Sequence, residues 1–175
     1  MSLDLTASVR RAQAGDAGAF AELYSLVYKD MYRIALLNLN NQHDASDVVS
    51  DTVLEAYSSI TKLREPKSFK SWIIKILTVK IKNKRKEYKQ INNFRQDIDD
   101  IDETQLDEAK KEINFDELDV VDGFRQLSEE ERLVLSLSVV SGYSSDEIAK
   151  MFGTNANTVR SKVSRAKTKL KKLIN

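Results

Sequence analysis

Apolar residues recur at steps of three and four along most of the chain, which is the spacing of one buried face of an α-helix. Residues 17–38 predict the first long helix, after a shorter one over residues 4–14. With one proline and five glycines in 175 residues, long helices are favoured over many short strands. The apolar face of the first long helix consists of Phe20, Leu23, Tyr24, Val27, Met31, Ile34 and Ala35.

A second helix is predicted over residues 44–60, with Asp44 as its cap. Its buried stripe consists of Val49, Val53, Ala56 and Ile60. Another face of the same helix carries Asp47, Ser50, Asp51 and Leu54 at helical spacing. An exposed leucine flanked by acids indicates a contact with another protein, although an ordinary solvated face would give the same pattern.

The third helix is predicted from Phe69 to Lys86, after a loop over residues 62–68 that contains the sole proline. One side of this helix is apolar and the other is basic. Between residues 62 and 95, twelve bases stand against two acids. A helix charged only for solubility would gain from Glu–Lys pairs, so the imbalance favours a polyanion contact. In the alternative interpretation, a solvated lysine-rich helix, Trp72 is mainly a core residue.

The sign of the charge reverses twice along the chain. Residues 97–122 hold twelve acids and two lysines, whereas eight bases and no acid follow Glu147. Residues 93–114 lack clean periodicity and predict an acidic flexible linker. The expected fold is therefore all-α, with an N-terminal helical domain over 1–92 and a C-terminal one over 115–175. Two basic blocks around an acidic spacer indicate two polyanion contacts.

Two capping boxes of the form Ser-x-x-Glu begin helices of the C-terminal domain, because each supplies acceptors for the free amides of a first helical turn. They pair Ser128 with Glu131 and Ser144 with Glu147, and they predict helices over 129–141 and 145–152.

The residues around and after the second capping box predict a helix–turn–helix. Ala149 allows close helix approach, Gly153 supplies the positive φ of the turn, and Asn155 caps a third helix. Helical hairpins of other kinds share this pattern, but the last helix carries no acid. Arginine grips guanine bidentately in the major groove, and serine and asparagine accept or donate there. The candidate DNA-binding residues are Asn157, Arg160, Ser161, Lys162, Ser164 and Arg165.

Composition narrows the function classes. Cysteine is absent, so disulfides and thiolate metal sites are excluded. His43 is the only histidine and is expected at the surface. No carboxylate cluster with metal-ligand spacing stands outside the linker, and no Ser/His/Asp arrangement is present, so an enzyme such as a nuclease is disfavoured. No metal or cofactor is predicted. The chain shows no membrane-span or signal-peptide pattern, which predicts a soluble cytoplasmic protein.

Two stretches resemble one known family. The segment YSSDEIAKMFGTNANTVRSKVSRAKTKL resembles the C-terminal promoter-binding domain of bacterial extracytoplasmic-function (ECF) sigma factors. DASDVVSDTVLEAY followed by SFKSWIIKIL resembles the N-terminal domain of that family. The resemblance implies a stress-response transcription initiation factor without catalysis of its own. Such a factor binds core RNA polymerase, directs it to specific promoters and assists DNA opening.

The resemblance implies a partner for each surface. The helix over 44–60 would dock on the clamp helices of the polymerase's largest subunit, through Asp47, Ser50, Asp51 and Leu54. The family usually has glutamine in place of Ser50. The last helix would read the minus-thirty-five promoter element. The acidic linker would run toward the RNA exit path, and a further hypothesis is that its acids cover the basic faces in the free protein.

The loop and helix over 62–86 would melt the minus-ten promoter region, holding a flipped base and following the phosphates of the single strand. The family often has asparagine at the position of Val79, which can neither donate nor accept a hydrogen bond. Either Asn83 or the loop would then take over part of that reading. The residues assigned to the minus-ten contact are Lys62, Arg64, Trp72, Lys75, Lys82, Asn83 and Lys86.

The resemblance also implies an anti-sigma factor, because members of the family are typically held inactive by a membrane-linked partner that covers the polymerase and DNA surfaces. The two domains are expected to be able to close on each other. No small-molecule substrate and no direct membrane insertion are expected. The alternative function is a stand-alone helix–turn–helix regulator, which leaves the acidic face with Leu54 and the basic third helix unexplained.

Overall fold

A computed structural model describes residues 4–95 and 115–174 of the chain. These two ranges contain no strand, which confirms the predicted all-α fold. Residues 96–114 of the predicted linker lie outside the described residues. The helices of the described ranges are α1 (Thr6–Gln13), α2 (Ala17–Leu39), α3 (Gln42–Ser59), α4 (Phe69–Arg95), α5 (Phe115–Arg125), α6 (Glu129–Ser141), α7 (Ser145–Phe152) and α8 (Ala156–Ile174).

The helix boundaries of the N-terminal half follow from capping side chains. Asp16 accepts a hydrogen bond from the Ala19 amide at 3.1 Å and so begins α2. Helix α2 ends at Asn40, which has a φ of 56°. The prediction that Asp44 caps α3 is wrong, because Asn41 directly after this turn is extended and accepts from the Asp44 amide at 2.9 Å. Asp44 lies in the first turn instead, where its charge suits the helix dipole.

The core of the N-terminal half lies between α2, α3 and α4. Most of the residues of the predicted apolar face of α2 are buried there, and Tyr24 is half-buried. Each large aliphatic side chain removed from water contributes about 1.5–3 kcal/mol before entropy is subtracted. The largest fully buried side chains in this half are Leu23, Met31, Ile34, Phe69, Ile73, Ile74, Leu77 and Ile81.

Both predicted capping boxes of the C-terminal half are confirmed. The Glu131 amide donates to Ser128 Oγ at 3.2 Å, and the Ser128 amide donates to Glu131 Oε2 at 3.0 Å. Ser144 and Glu147 exchange the same two bonds at the start of α7. Because these boxes fix where the helices begin, α6 and α7 span the residues predicted for them.

Helix α5 approaches α8 closely at Gly123. A Cβ atom at this position would lie 2.5 Å from Leu170 Cδ1, so the glycine lets the two helices meet. The core beneath them includes Phe124, Leu135 and Ile148, all of which are fully buried.

The two halves contact each other through α2 and α6. Asn38, near the end of α2, is almost fully buried, and its Nδ2 donates to Ser136 Oγ at 2.9 Å. Its backbone carbonyl accepts from Arg85 of α4 and, at 3.3 Å, from Arg132 Nη1 of α6. Ser141 of α6 also donates to Asp30 of α2 at 3.5 Å. The contact between the halves is therefore polar as well as apolar.

Tyr88 joins α4 to the start of α3. Its hydroxyl donates to Asp44, and Lys84 Nζ lies 3.6 Å from the same carboxylate. Burial, together with the bond to Asp44, raises the pKa of Tyr88 above its usual range. The hydroxyl therefore stays protonated and remains a donor at any physiological pH.

We expect Tyr88→Phe to lower the free energy of unfolding by about 1 kcal/mol, because the half-buried Asp44 carboxylate loses a donor. Chemical denaturation of the full chain measures this change. Tyr28→Phe is the matched control, since Tyr28 is 43% exposed. Equal effects of the two substitutions would contradict a stabilising role for the Tyr88 hydroxyl.

Candidate nucleic-acid interface

The C-terminal recognition surface is built by the turn between α7 and α8. Gly153 has a φ of 63° and ends α7, as predicted. Asn155 then accepts from the Asn157 amide at 2.7 Å, which begins α8. The inward side of α8 is held by Val159, Val163 and Ala166, all buried. The opposite side is therefore free for a groove of nucleic acid.

The predicted base-reading residues share this outer side of α8. Asn157, Arg160, Ser161, Ser164 and Arg165 are exposed, whereas Lys162 is half-buried. Lys162 Nζ lies 2.5 Å from Glu130 Oε2 of α6. The structure thus brings five of the six residues together at an open surface and pairs the sixth with an acid.

Arg160 is oriented by its neighbours. Its Nη1 donates to Asn157 Oδ1 at 2.6 Å, and its Nη2 lies 3.9 Å from Asp146 Oδ2 of α7. The hydrogen bond to Asn157 restricts the guanidinium, whereas the ion pair with Asp146 joins two exposed side chains and is weak. Such positioning suits the bidentate contact that arginine makes with guanine.

The loop before α4 is joined to α1 by side-chain hydrogen bonds. Two 3-10 turns, Ile60–Lys62 and Pro66–Ser68, flank it. The side-chain Nε2 of Gln13 donates to the Ile60 carbonyl at 3.0 Å and to the Leu63 carbonyl at 2.8 Å, which ties the start of the loop to α1. Lys62 and Arg64 of the predicted minus-ten set are exposed on this loop.

The outer side of α4 carries the rest of the minus-ten set. Lys75, Lys82, Asn83 and Lys86 are exposed, and Trp72 is half-buried against the core, with its ring centroid 6.1 Å from that of Phe69. Trp72 therefore packs and also reaches the surface. Val79 is 50% exposed on this helix, where the family often has asparagine.

The C-terminal half lies over part of this surface. Trp72 and Lys75 line a cavity of about 570 Å³ together with Tyr143 and Lys150 of the other half. Burial, with the charges of Glu147 and Asp30, raises the pKa of Tyr143 to about 12. Farther along α4, Lys82 Nζ lies 4.9 Å from the centre of the Phe152 ring, a cation–π contact.

The predicted protein-contact face of α3 is open to solvent. Asp47, Ser50, Asp51 and Leu54 are all exposed, and Leu54 is 69% exposed. Tyr57, one turn after Val53, extends the exposed apolar surface and contacts Phe20 edge to face at 5.1 Å. An isolated exposed leucine is ordinary, but a leucine and a tyrosine beside two carboxylates fit the edge of a protein interface.

The residues that join the two halves are not among those predicted from the sequence. Arg85 Nε and Lys89 Nζ of α4 each lie 3.2 Å from Glu129 Oε1 of α6. In the sequence, Arg85 is one of many bases, and Glu129 is part of a capping region. Neither residue stands out as a contact between the halves. A capping box uses one acid, so the two additional acids beside Glu131 were the signal that could have indicated a partner.

Two protein-family models match the sequence of this chain. A family model described as Sigma-70 region 2 matches residues 20–91, and one described as Sigma-70, region 4 matches residues 119–170. Together the two models span more than two thirds of the chain.

Curated relatives align with this chain over most of their length. The RNA polymerase sigma factor SigV of Bacillus subtilis is 28% identical over 138 residues, covering 79% of this chain and 80% of SigV. The ECF RNA polymerase sigma-E factor of Salmonella typhimurium is 29% identical over 175 residues, covering 91% of this chain and 88% of that protein.

Two solved structures show the same fold. One is CnrH in complex with the cytosolic domain of CnrY, with a TM-score of 0.71 and 20% identity, covering 98% of this chain and 96% of CnrH. The other is the sigma factor RpoE in complex with the anti-sigma factor NepR from Bartonella quintana, with a TM-score of 0.66 and 24% identity. That match covers 89% of this chain and 96% of RpoE.

The two family models appear in the order that the sequence motifs predicted, and the relatives are named as RNA polymerase sigma factors, several of them of the ECF type. The chain belongs to the extracytoplasmic-function family of RNA polymerase sigma factors.

Proposed function

We propose that this sigma factor divides its work among three surfaces on two domains, 1–92 and 115–175. The first surface docks on core RNA polymerase, the second opens the minus-ten region, and the third reads the minus-thirty-five element. The observation that carries the proposal is the separation of an open acidic face on α3 from basic outer faces on α4 and α8. The chain brings no catalytic group to this task, since nucleotidyl transfer belongs to the polymerase.

The docking surface consists of Asp47, Ser50, Asp51 and Leu54 on α3. Its exposure in an otherwise well-packed helix supports this role, because a leucine left 69% exposed loses the free energy that burial in a partner would supply. Ser50 has a shorter side chain than the glutamine common in the family. We infer that one hydrogen bond of the usual contact is missing and that Leu54 carries more of the affinity.

The minus-ten surface consists of the loop and the outer side of α4. The loop is tied down by Gln13, so a base flipped into it meets a preformed backbone rather than a mobile one. Aromatic and basic side chains beside the loop suit a single strand, since bases stack on rings and phosphates pair with ammonium groups. Trp72 supplies the aromatic ring, and Lys75 supplies the ammonium group.

The proposed partners are core RNA polymerase, promoter DNA and an anti-sigma factor. The complex of RpoE with the anti-sigma factor NepR supports the third partner. The helices of the described residues include none that is long and apolar enough to cross a membrane. We propose a cytoplasmic protein, held at the membrane only where an anti-sigma factor anchors it.

Reconstitution with core polymerase and a randomised promoter library, followed by sequencing of the transcripts, tests the function directly. We expect run-off transcripts that share two upstream elements. A stand-alone helix–turn–helix regulator would neither copurify stoichiometrically with core polymerase nor support transcription. Absence of both activities would overturn the proposed function.

We expect Leu54→Ala to weaken binding to core polymerase about tenfold, because truncation removes an apolar anchor from the contact. Competition binding against the unmodified chain measures the loss. Val139→Ala is the control, since Val139 is 54% exposed on α6 and lies outside the proposed docking surface. A loss of the same size in both variants would argue against docking through α3.

Substitutions of Arg160 and Lys171 of α8 should have different kinds of effect on DNA binding. We expect Arg160→Ala to relax the preference at one upstream base pair, at a cost of about 1–3 kcal/mol against the preferred base. Lys171→Ala should weaken all sequences alike and reduce the salt dependence of binding by about one phosphate contact. Library selection at two salt concentrations separates these outcomes, and a uniform loss for Arg160→Ala would exclude its role in base reading.

Val79→Asn should sharpen the minus-ten preference. Val79 is half-exposed, so the change costs little burial, and an amide supplies the donor and acceptor that valine lacks. Transcripts from the promoter library should then show stronger bias at one minus-ten position. Val139→Asn is the matched control. An unchanged bias would mean that the loop or Asn83 does the reading.

A further inference from the structure

The start of α8 carries two of the predicted base-reading residues, Asn157 and Arg160, one helical turn apart. Side chains at this spacing are neighbours on one face of a helix. Arg160 Nη1 donates to Asn157 Oδ1 at 2.6 Å, and both residues are exposed, whereas Val159 between them is buried. The two side chains therefore present themselves to a DNA groove as one connected group.

The hydrogen bond determines which end of the Asn157 amide faces Arg160. A guanidinium carries only donors, so the atom that meets it must be the carbonyl oxygen Oδ1. An asparagine that reads adenine uses Oδ1 and Nδ2 together, with Oδ1 accepting from the base. Because Oδ1 already accepts from Arg160, the Asn157 amide is directed toward the arginine rather than toward a base.

Arg160 keeps enough donors to read a base while it is held. A guanidinium carries N–H groups on each of its nitrogens, and Asn157 accepts from one of them. The bidentate contact with guanine needs two parallel donors, which the remaining N–H groups supply. The bond to Asn157 is therefore compatible with base reading.

Asn157 orients the arginine without neutralising its charge. An aspartate at this position would also accept the hydrogen bond, but its negative charge would repel the phosphates of DNA. The carboxylate of Asp146 lies 3.9 Å from Arg160 Nη2, and its side chain is 77% exposed, so this ion pair is weak. The neutral amide is therefore the partner that fixes the direction of the guanidinium.

The other two cations of the predicted set are held differently. Lys162 pairs with the acid Glu130 of α6. Arg165 Nε donates at 3.4 Å to the backbone carbonyl of Ser161 on its own helix, which is a long and weak bond. Of the three cations in this set, Arg160 is the one that a neutral side chain holds.

We propose that Asn157 is a positioning residue, which holds the Arg160 guanidinium toward one base pair of the upstream promoter element, so that the two residues specify this base pair as a unit. The inference rests on the proposed function, in which α8 reads the minus-thirty-five element. It replaces the sequence-based prediction that Asn157 contacts DNA by itself.

The physical basis is the flexibility of arginine. A free arginine side chain loses much of its rotamer freedom when it binds one base, and a restraint in the unbound protein removes part of that loss. Without Asn157, the guanidinium can also reach neighbouring acceptors such as phosphates. Discrimination between bases should then fall while general attraction to DNA remains.

The test measures base-pair preference in holoenzyme formed with core polymerase, on a duplex library randomised over the upstream element. Preference is the ratio of the best- to the worst-bound base pair at each position. We expect Arg160→Ala to remove the preference at one position. Asn157→Ala should lower the preference at that same position about three- to fivefold, the effect of one exposed hydrogen bond. The double variant should show no further loss beyond Arg160→Ala, because the two residues act together.

Three further variants separate positioning from other roles. Asn157→Asp keeps the acceptor, so it should keep the base-pair preference and weaken all sequences alike through its charge. Arg165→Ala should add to Asn157→Ala, since more than two helical turns separate these residues. Asp146→Asn should leave the preference unchanged, because its ion pair with Arg160 is weak.

The alanine variant of Asn157 leaves the start of α8 intact. Asn155 caps the helix through the backbone amide of residue 157, which alanine retains. Alanine is also the best helix former. A changed base-pair preference in this variant therefore reports the lost side chain rather than an unfolded helix.

Four results would overturn the proposal. Asn157→Ala could leave every preference unchanged, or relax a position that Arg160→Ala leaves intact. The losses of the two alanine variants could add in the double variant. Asn157→Asp could lose the preference as fully as Asn157→Ala does.

Failure of this inference is distinguishable from failure of the proposed function. If Arg160→Ala removes one base preference and any of those four results is found, only the role of Asn157 is wrong. If Arg160→Ala removes no preference, base reading by Arg160 is wrong, and the inference is wrong with it. If the unmodified chain neither binds core polymerase nor directs transcripts, the proposed function itself is wrong.

Discussion

The backbone carbonyl of Asn38, near the end of α2, joins the two halves of the described residues. A helix leaves its last carbonyls without internal partners, and their partial negative charge attracts cations. At Asn38 this need is met by Arg85 from α4 and Arg132 from α6, while the side chain bonds to Ser136. One helix end therefore joins three helices from both halves of the chain. Burial and the nearby Arg85 lower the pKa of Arg132, and Glu129 opposes that shift.

The contact between the two halves differs in character from the cores within them. Within each half, large aliphatic side chains such as Leu23, Ile73 and Leu135 are fully buried, and their removal from water stabilises that half strongly. Between the halves, many contacts are hydrogen bonds and ion pairs that water or phosphate can replace at little cost. The same sequence thus encodes two apolar cores and a more polar contact between them.

Local structure could be predicted from the sequence where a short motif determines it. Capping boxes fixed the starts of α6 and α7 because serine and glutamate three residues apart satisfy each other's amides. The start of α3 was missed because Asp44 and Asn41 are both good caps, and the left-handed turn at Asn40 decided between them. The outer residues of α8 were found for a similar reason, since a buried stripe at helical spacing leaves only one side free.

The contact between α4 and α6 could not be read from the sequence, because ion pairs between distant segments depend on how two helices meet. Arg85 was one of twelve bases, and nothing in its neighbourhood set it apart from Lys84 or Lys86. Only the packing of α2 against both helices puts Glu129 beside it. Charge blocks therefore predict which surfaces attract nucleic acid. The fold determines which of those charges are free to bind it.

Polymerase docking and DNA binding make different demands on this fold. The α3 surface needs no rearrangement, because its acids and Leu54 are already exposed. On α4, by contrast, Arg85 and Lys89 already lie beside Glu129, and Lys82 lies over the Phe152 ring. If α4 binds DNA as proposed, the phosphates meet cations that already have partners, whereas polymerase meets a face of α3 that is open to solvent.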